Sequence, residues 1–356
     1  MSKKAEKVSI QKEVSSLPST HQQMLMGHGL IETNFLDAYR SGRLPHAWIL
    51  AGPEGIGKAG FALRAARFLL AHPDHHAPEV KAARTLDVAP EHPAARRVNA
   101  RAHTDLFFLE SETEGEKKTK SGSIPVEDVR KMLGFFGSTA GEGGWKIAII
   151  DPLDDLKSSA ANALLKMLEE PPPRSLFLMI SHNLGRLLPT IRSRCHMVRF
   201  KPLTETEMIH ALSASSASHD QNLIHEAARR GGGSVKRALT YLDPERIAMI
   251  HDIETTLDRL PELDRKHLLA MADHFAKKDG AESFSLFLET VEEWMAAACR
   301  EDARTGHHQM TSLAALWEKF TTNSRLTDIY NLDRRPFFIT MMNDLADAMK
   351  HARIPS

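Results

Sequence analysis

The feature that most narrows what this chain can fold into is a glycine-rich octapeptide, Gly52-Pro53-Glu54-Gly55-Ile56-Gly57-Lys58-Ala59. It follows AWILA (47–51), an apolar run of strand length, and leads into FALRAARFLL (61–70), which has helical spacing. Strand, glycine loop, lysine and helix in that order describe a phosphate loop. Glycines let backbone N–H groups close around phosphate oxygens, the helix N-terminus favours an anion, and the lysine adds a charge. Gly52, Gly55, Gly57 and Lys58 are therefore the expected nucleotide contacts, with ATP or ADP as the ligand class. The next position departs from the pattern. A serine or threonine after the lysine helps hold Mg²⁺, and here it is Ala59. Magnesium placement is weakened, while backbone contact with phosphate is not. A chance glycine-rich turn is the competing reading.

Further apolar runs continue the alternation of strand and helix. KIAII (146–150), SLFLMI (175–180) and MVRF (197–200) read as buried strands. VEDVRKMLGFF (126–136) and SAANALLKMLEE (159–170) read as helices, the latter with Ala161, Leu164, Leu165 and Leu168 on one face and Pro171-Pro172-Pro173 as its stop. Such alternation predicts an α/β domain whose parallel sheet is covered on both faces. Residues 71–123 are less regular, and SETEGEKKTKSG within them reads as a solvated loop.

After Lys201-Pro202 no strand-like run appears. Phe284, Phe287, Leu288, Val291, Met295 and Ala298 recur at helical spacing, as do Ile339, Met342, Leu345 and Met349 after Pro336. The predicted layout is a mobile tail (1–22), a phosphate-loop α/β domain (23–202), a small helical lid (203–246) and an all-helical C-terminal domain (247–356).

Bulk composition removes several function classes. Lys+Arg and Asp+Glu both number 46, so the chain does not coat nucleic acid by bulk charge. The two cysteines, Cys195 and Cys299, form no CxxC pair, which excludes a disulfide framework or a cysteine-built zinc module and suits a reducing cytoplasm. No apolar run approaches the ~18 residues that span a bilayer, so no membrane partner is expected.

Asp151 closes the KIAII strand where a phosphate-loop ATPase places its metal-holding acid. A hydrolysing enzyme follows that aspartate with a glutamate that handles the attacking water, and here Pro152 stands there. Asp154 and Asp155 are displaced from that role. Ala59 and Pro152 are two separate defects, and both impair hydrolysis.

NALLKMLEEPP (162–172) followed by TIRSRC (190–195) resembles the clamp-loader branch of the AAA+ superfamily, in which serine-arginine-cysteine is a signature. RLPHAWILAGPEGIGKA (43–59) and the late NLD (331–333) are similar to its delta-prime-type subunits in the bacterial DNA polymerase III clamp loader. The resemblance implies an AAA+ domain, a lid and a helical collar. It implies as partners other clamp-loader subunits, motor and delta-type, the sliding clamp, and primer–template DNA reached through the complex. It makes Arg194 an arginine finger acting in trans on a neighbour's nucleotide, with Arg192 the weaker candidate and a structural ion pair the bland one. Cys195 reads as a small buried hydrophobe.

Three departures accompany the resemblance. The zinc module carried by many such chains has no cysteines here, and His72, His75, His76, His92 and His103 match no zinc spacing, so no metal site is expected. The sensor arginine of the lid is Lys236, with Arg237 one place late. Ala59 and Pro152 fit a subunit that lends its arginine without hydrolysing. Arg96, Arg97, Arg101, Arg130 and Lys131 are basic groups of the kind that grip DNA backbone, and none is singled out. The rival readings are an active ATPase motor of the same superfamily and an interaction module of DNA repair outside replication.

Overall fold

The computed structural model describes residues 26–110, 124–137, 140–141, 144–215, 220–277, 280–305, 315–320 and 333–352. The tail 1–22, the segment SETEGEKKTKSG and the first two residues of NLD lie outside them. The chain divides into two compact units between Leu242 and Asp243.

The first unit runs α1 (Gly29–Arg40), β1 (Ala47–Ala51), α2 (Lys58–Ala71), α3 (Pro78–Ala82), α4 (Pro93–Asn99), β2 (Leu106–Glu110), α5 (Val126–Phe136), β3 (Lys146–Asp151), α6 (Ser158–Glu169), β4 (Ser175–Ser181), α7 (Pro189–Arg192) and β5 (His196–Arg199). Three more helices follow: α8 (Glu205–Ser215), α9 (Gln221–Gly231) and α10 (Val235–Thr240). The strands form one parallel sheet in the order β2-β3-β4-β1-β5. Side chains alternate across a strand with period two, which divides the core. Trp48 and Leu50 face one way, packed with Phe35, Phe61 and Phe68 of α1 and α2. Ile49 and Ala51 face the other, with Val129, Met132, Ala160 and Leu164 of α5 and α6. Burial on both faces is why these strands are apolar throughout.

The region after α2 is more ordered than its sequence suggests. Pro93 opens α4 with His92 as its cap, the imidazole accepting from Ala94 N–H at 3.2 Å. LFFLE forms the edge strand β2, paired to β3 from Leu106↔Ile147 to Glu110↔Asp151. A buried carboxylate ties the segment down. Glu32 of α1 accepts from Arg64 Nη2 of α2 at 2.5 Å and from Leu86 N–H at 2.9 Å, while Arg64 Nη1 reaches Asp87 at 2.6 Å. Arg40 adds a bond from Nε to Val80 O at 2.9 Å.

The second unit is helical: α11 (Pro244–Asp258), α12 (Arg265–Ala276), α13 (Ala281–Thr305) and α14 (Arg334–Ala352), plus a helical stretch at 315–320. Asp243 caps α11 through Glu245 N–H at 2.9 Å, placing the division four residues before the expected 246/247 boundary. Phe275 sits at the centre, with the rings of Phe287 and Phe338 at 5.4 and 5.1 Å. On α13 the residues Phe284, Phe287, Val291 and Met295 are buried as spaced. On α14 Met342 and Leu345 are buried as spaced, joined by Phe338 and Met341, while Ile339 and Met349 are only partly covered.

Glu32→Ala removes the acceptor that holds α1, α2 and the 80s segment together and leaves Arg64 buried. Breaking a buried pair costs about 3–5 kcal/mol. The expected loss lies near 3, because Asp87 still faces Arg64. Urea denaturation of the variant against the parent measures it.

Candidate functional site

The carboxyl ends of the strands form one edge of the sheet, the place where open α/β folds hold ligands. Gly52, Gly55, Gly57, Lys58 and Asp151 all lie along it. Gly52, Gly55 and Gly57 have φ of 148°, 76° and 101°, backbone that side chains with a Cβ avoid. Space is a second constraint at Gly52, where a Cβ would lie 2.5 Å from Phe200 O, and at Gly55, where it would meet Ser234 and Lys236. The loop is thus packed on its outer side by the start of α10. Val235 and Lys236 donate their N–H groups to Gly55 O at 2.9 and 3.3 Å, and Lys236 Nζ reaches Glu54 at 2.5 Å. The Lys236–Glu54 pair is exposed and contributes little by itself; the backbone bonds are the firmer join. Lys236, in place of the sensor arginine, does reach the loop.

Lys58 is buried, and its ammonium turns back onto its own loop. It donates to Gly52 O at 2.6 Å and to Pro53 O. Burial lowers its pKa to about 8, against the opposing pull of Asp151 and Glu54. Burial likewise raises the pKa of Asp151, opposed by His182, whose Nε2 lies 4.0 Å from its carboxylate. The charges that would meet phosphate and metal are therefore engaged within the protein. Ala59 presents no hydroxyl to a metal, and Pro152 no acid to an attacking water.

Asp154 has a different task, which sequence reasoning missed. Its carboxylate accepts from Ser181 Oγ at 2.8 Å, His182 N–H at 2.5 Å and Asn183 N–H at 3.1 Å, clamping the end of β4. His28 fills the space beside Ile56, its Nε2 2.9 Å from the Ile56 carbonyl and its ring 4.6 Å from Phe200 edge-on. Burial holds its pKa below the usual histidine value.

Arg194 stands apart from the loop. Its partners are Glu169 at 2.7 Å, Thr190 O at 2.9 Å and Ser193 Oγ at 3.2 Å, all on α6 or around α7. Its side chain is 36% exposed. Arg192 is exposed on the same turn. Cys195 packs against the α5–α6 core, and burial raises its thiol pKa to about 12, which makes it a hydrophobe and no nucleophile.

Of the histidines after α2, His92 caps α4 and His103 Nδ1 accepts from Asp105 N–H at 3.2 Å. Among the described residues no group of three or more His, Cys, Asp or Glu is placed to hold a metal. Two of the basic candidates have internal partners: Arg101 makes a two-pronged pair with Glu110 at 2.6 and 2.9 Å, and Lys131 meets Asp128 at 2.7 Å. Among the described residues no helix is long and apolar enough to cross a membrane.

Residues 28–204 match the family described as "DNA polymerase III, delta subunit". The DNA polymerase III subunit delta' of Pseudomonas aeruginosa is 42% identical over 151 residues, 42% of this chain and 41% of that protein. Residues 28–204 are thus similar to that family and, within it, to a delta' subunit. The parallel sheet order and the glycine loop at its carboxyl edge are those of an α/β phosphate-loop fold. Other relatives extend further along the chain. The DNA polymerase III subunit gamma of Buchnera aphidicola (subsp. Acyrthosiphon pisum) is 26% identical over 86% of the chain and 83% of its own length. The subunit tau of Escherichia coli is 26% identical over 76% of the chain and 41% of its own length. The match to the delta' relative spans about two fifths of that protein.

The lysine supplies a test of the loop's electrostatics. Below pH 8 the ammonium is charged in both folded and unfolded chains, and its burial cost is present in full. Between pH 8 and the ordinary 10.5 the unfolded chain binds the extra proton, so stability rises with pH through that window. Relative to Lys58→Met, the parent protein should gain on the order of 3 kcal/mol between pH 7.5 and 10.5. Paired urea denaturations across that range measure the gain, and a flat difference would show that the ammonium is not desolvated.

Proposed function

We propose that this chain is a non-hydrolysing, delta-prime-like subunit of the DNA polymerase III clamp loader. It completes an ATP-driven ring that places the sliding clamp on primed DNA, and it supplies Arg194 to the nucleotide of a neighbouring subunit. The observation that carries the reading is the state of Lys58, whose ammonium satisfies Gly52 and Pro53 of its own loop. A hydrolysing site needs that charge on the phosphates, a hydroxyl beside it on the metal, and an acid by the attacking water. Here the first is turned inward, and the second and third are Ala59 and Pro152. As arranged, the loop does not fit a magnesium-bound triphosphate, and no chemical step is assigned to it.

Arg194 supports the other half of the reading. A guanidinium that is partly exposed, and held by residues outside its own glycine loop, is accessible to a phosphate presented by another chain. An arginine supplied in trans stabilises the charge of phosphoryl transfer, an effect worth ~10³–10⁵ in rate in the best-characterised cases. Family relationship suggests the partners: motor and delta-type subunits, the clamp, and primer–template DNA. The runner-up is an active motor subunit, in which Lys58 would swing out to the phosphates.

The reconstituted loader, assayed for ATP hydrolysis with clamp and primed DNA, separates the two. The isolated chain should show no turnover, and Arg194→Ala should cut the complex's rate sharply while size-exclusion chromatography shows intact assembly. Turnover by the isolated chain, together with a normal rate for Arg194→Ala in the complex, would establish the motor instead.

A further inference from the structure

Glu169 occupies a position where a carboxylate is out of place. It is the last residue of α6, facing the negative end of the helix dipole, where an anion is disfavoured. The backbone beneath it is fixed. His46 Nε2 donates to Leu168 O at 3.0 Å, Glu170 N–H bonds to Lys166 O at 3.1 Å, and Pro171 ends the helix. From this anchored point Glu169 Oε1 accepts from Arg194 Nη2 at 2.7 Å.

The other terminal nitrogen of Arg194 is held as well. Nη1 donates to Thr190 O at 2.9 Å and to Ser193 Oγ at 3.2 Å. Three acceptors from two segments therefore fix both ends of a guanidinium whose side chain is more than a third exposed. An arginine on a long flexible stem ordinarily loses much rotamer freedom when it engages a ligand. Here that freedom is already spent within the chain, and the acceptor that reaches across from a separate helix is Glu169.

We propose that Glu169 is a positioning residue for Arg194, holding the guanidinium in its presented rotamer before a neighbour's phosphate arrives. The inference rests on the reading of Arg194 as a trans-acting group. Its magnitude is bounded by exposure: the Glu169 side chain is 49% exposed, and an ion pair of that kind corresponds to roughly a two- to fivefold effect on rate.

The test uses the reconstituted loader with Glu169→Ala, Glu169→Gln, Arg194→Ala and the Glu169→Ala/Arg194→Ala double variant. Glu169→Ala should lower the maximal ATPase rate about two- to fivefold, leaving KM for ATP and the thermal midpoint of the free chain unchanged. Glu169→Gln keeps a carbonyl acceptor and should recover most of the rate. The double variant should match Arg194→Ala alone, since a positioning residue has nothing to position once the arginine is gone. If Arg194→Ala slows the complex but Glu169→Ala runs at or above the parent rate, Glu169 does not position the arginine. A double variant slower than Arg194→Ala would show that Glu169 acts by another route, which also overturns the proposal. A normal rate for Arg194→Ala itself would remove the trans arginine and this inference with it.

Discussion

The central strand β1 is the constraint on which the rest of the structure depends. It is hydrogen-bonded on both sides, to β4 and to β5, so each of its backbone groups is committed and each of its residues is buried. A strand in that position has to end in a turn that reverses direction into α2 without clashing with its neighbours. Phe200, just past β5, comes so close to Gly52 that no Cβ fits between them. The glycine loop is therefore a demand of the sheet as well as of any ligand. The sheet would hold these glycines in place whether or not a nucleotide is bound.

The sequence made the doubly covered strands legible because burial on two faces writes an unbroken apolar run. AWILA, KIAII and SLFLMI stand out for that reason. LFFLE did not, although four of its five residues are apolar, because it lies among histidines, arginines and acids. The Pro93 that opens α4 was a readable start signal whose cap, His92, is not a usual capping residue. Periodicity located α14 but placed its stripe one residue off at Phe338, because Phe337, Phe338 and Ile339 are all apolar and only packing on Phe275 selects among them.

The candidate site was legible in its parts and not in its couplings. Gly52, Gly55, Gly57, Lys58 and Asp151 lie along the carboxyl edge of the sheet, and Arg194 lies on the turn after α7. No local signal shows that Lys58 satisfies its own loop, or that Lys236 meets Glu54 across 182 residues. Asp154 illustrates the same limit. Its displacement from the position of the water-handling acid was readable, while its clamp on β4 required the fold to bring residues 27–29 apart in sequence into contact.

Glu32 has a consequence for the order in which the chain assembles. It joins Arg64, 32 residues on, and the Leu86 amide, 54 residues on. Both bonds close long stretches of chain, and the entropy of closure must be met before either bond rewards it. The α1–α2 contact is the shorter closure and creates the buried carboxylate that the 80s segment then finds. That segment, with α3 and the approach to α4, therefore settles on a surface that earlier steps have made. The nascent chain must emerge past Asp87 before the bonds that lock its first helix can all form.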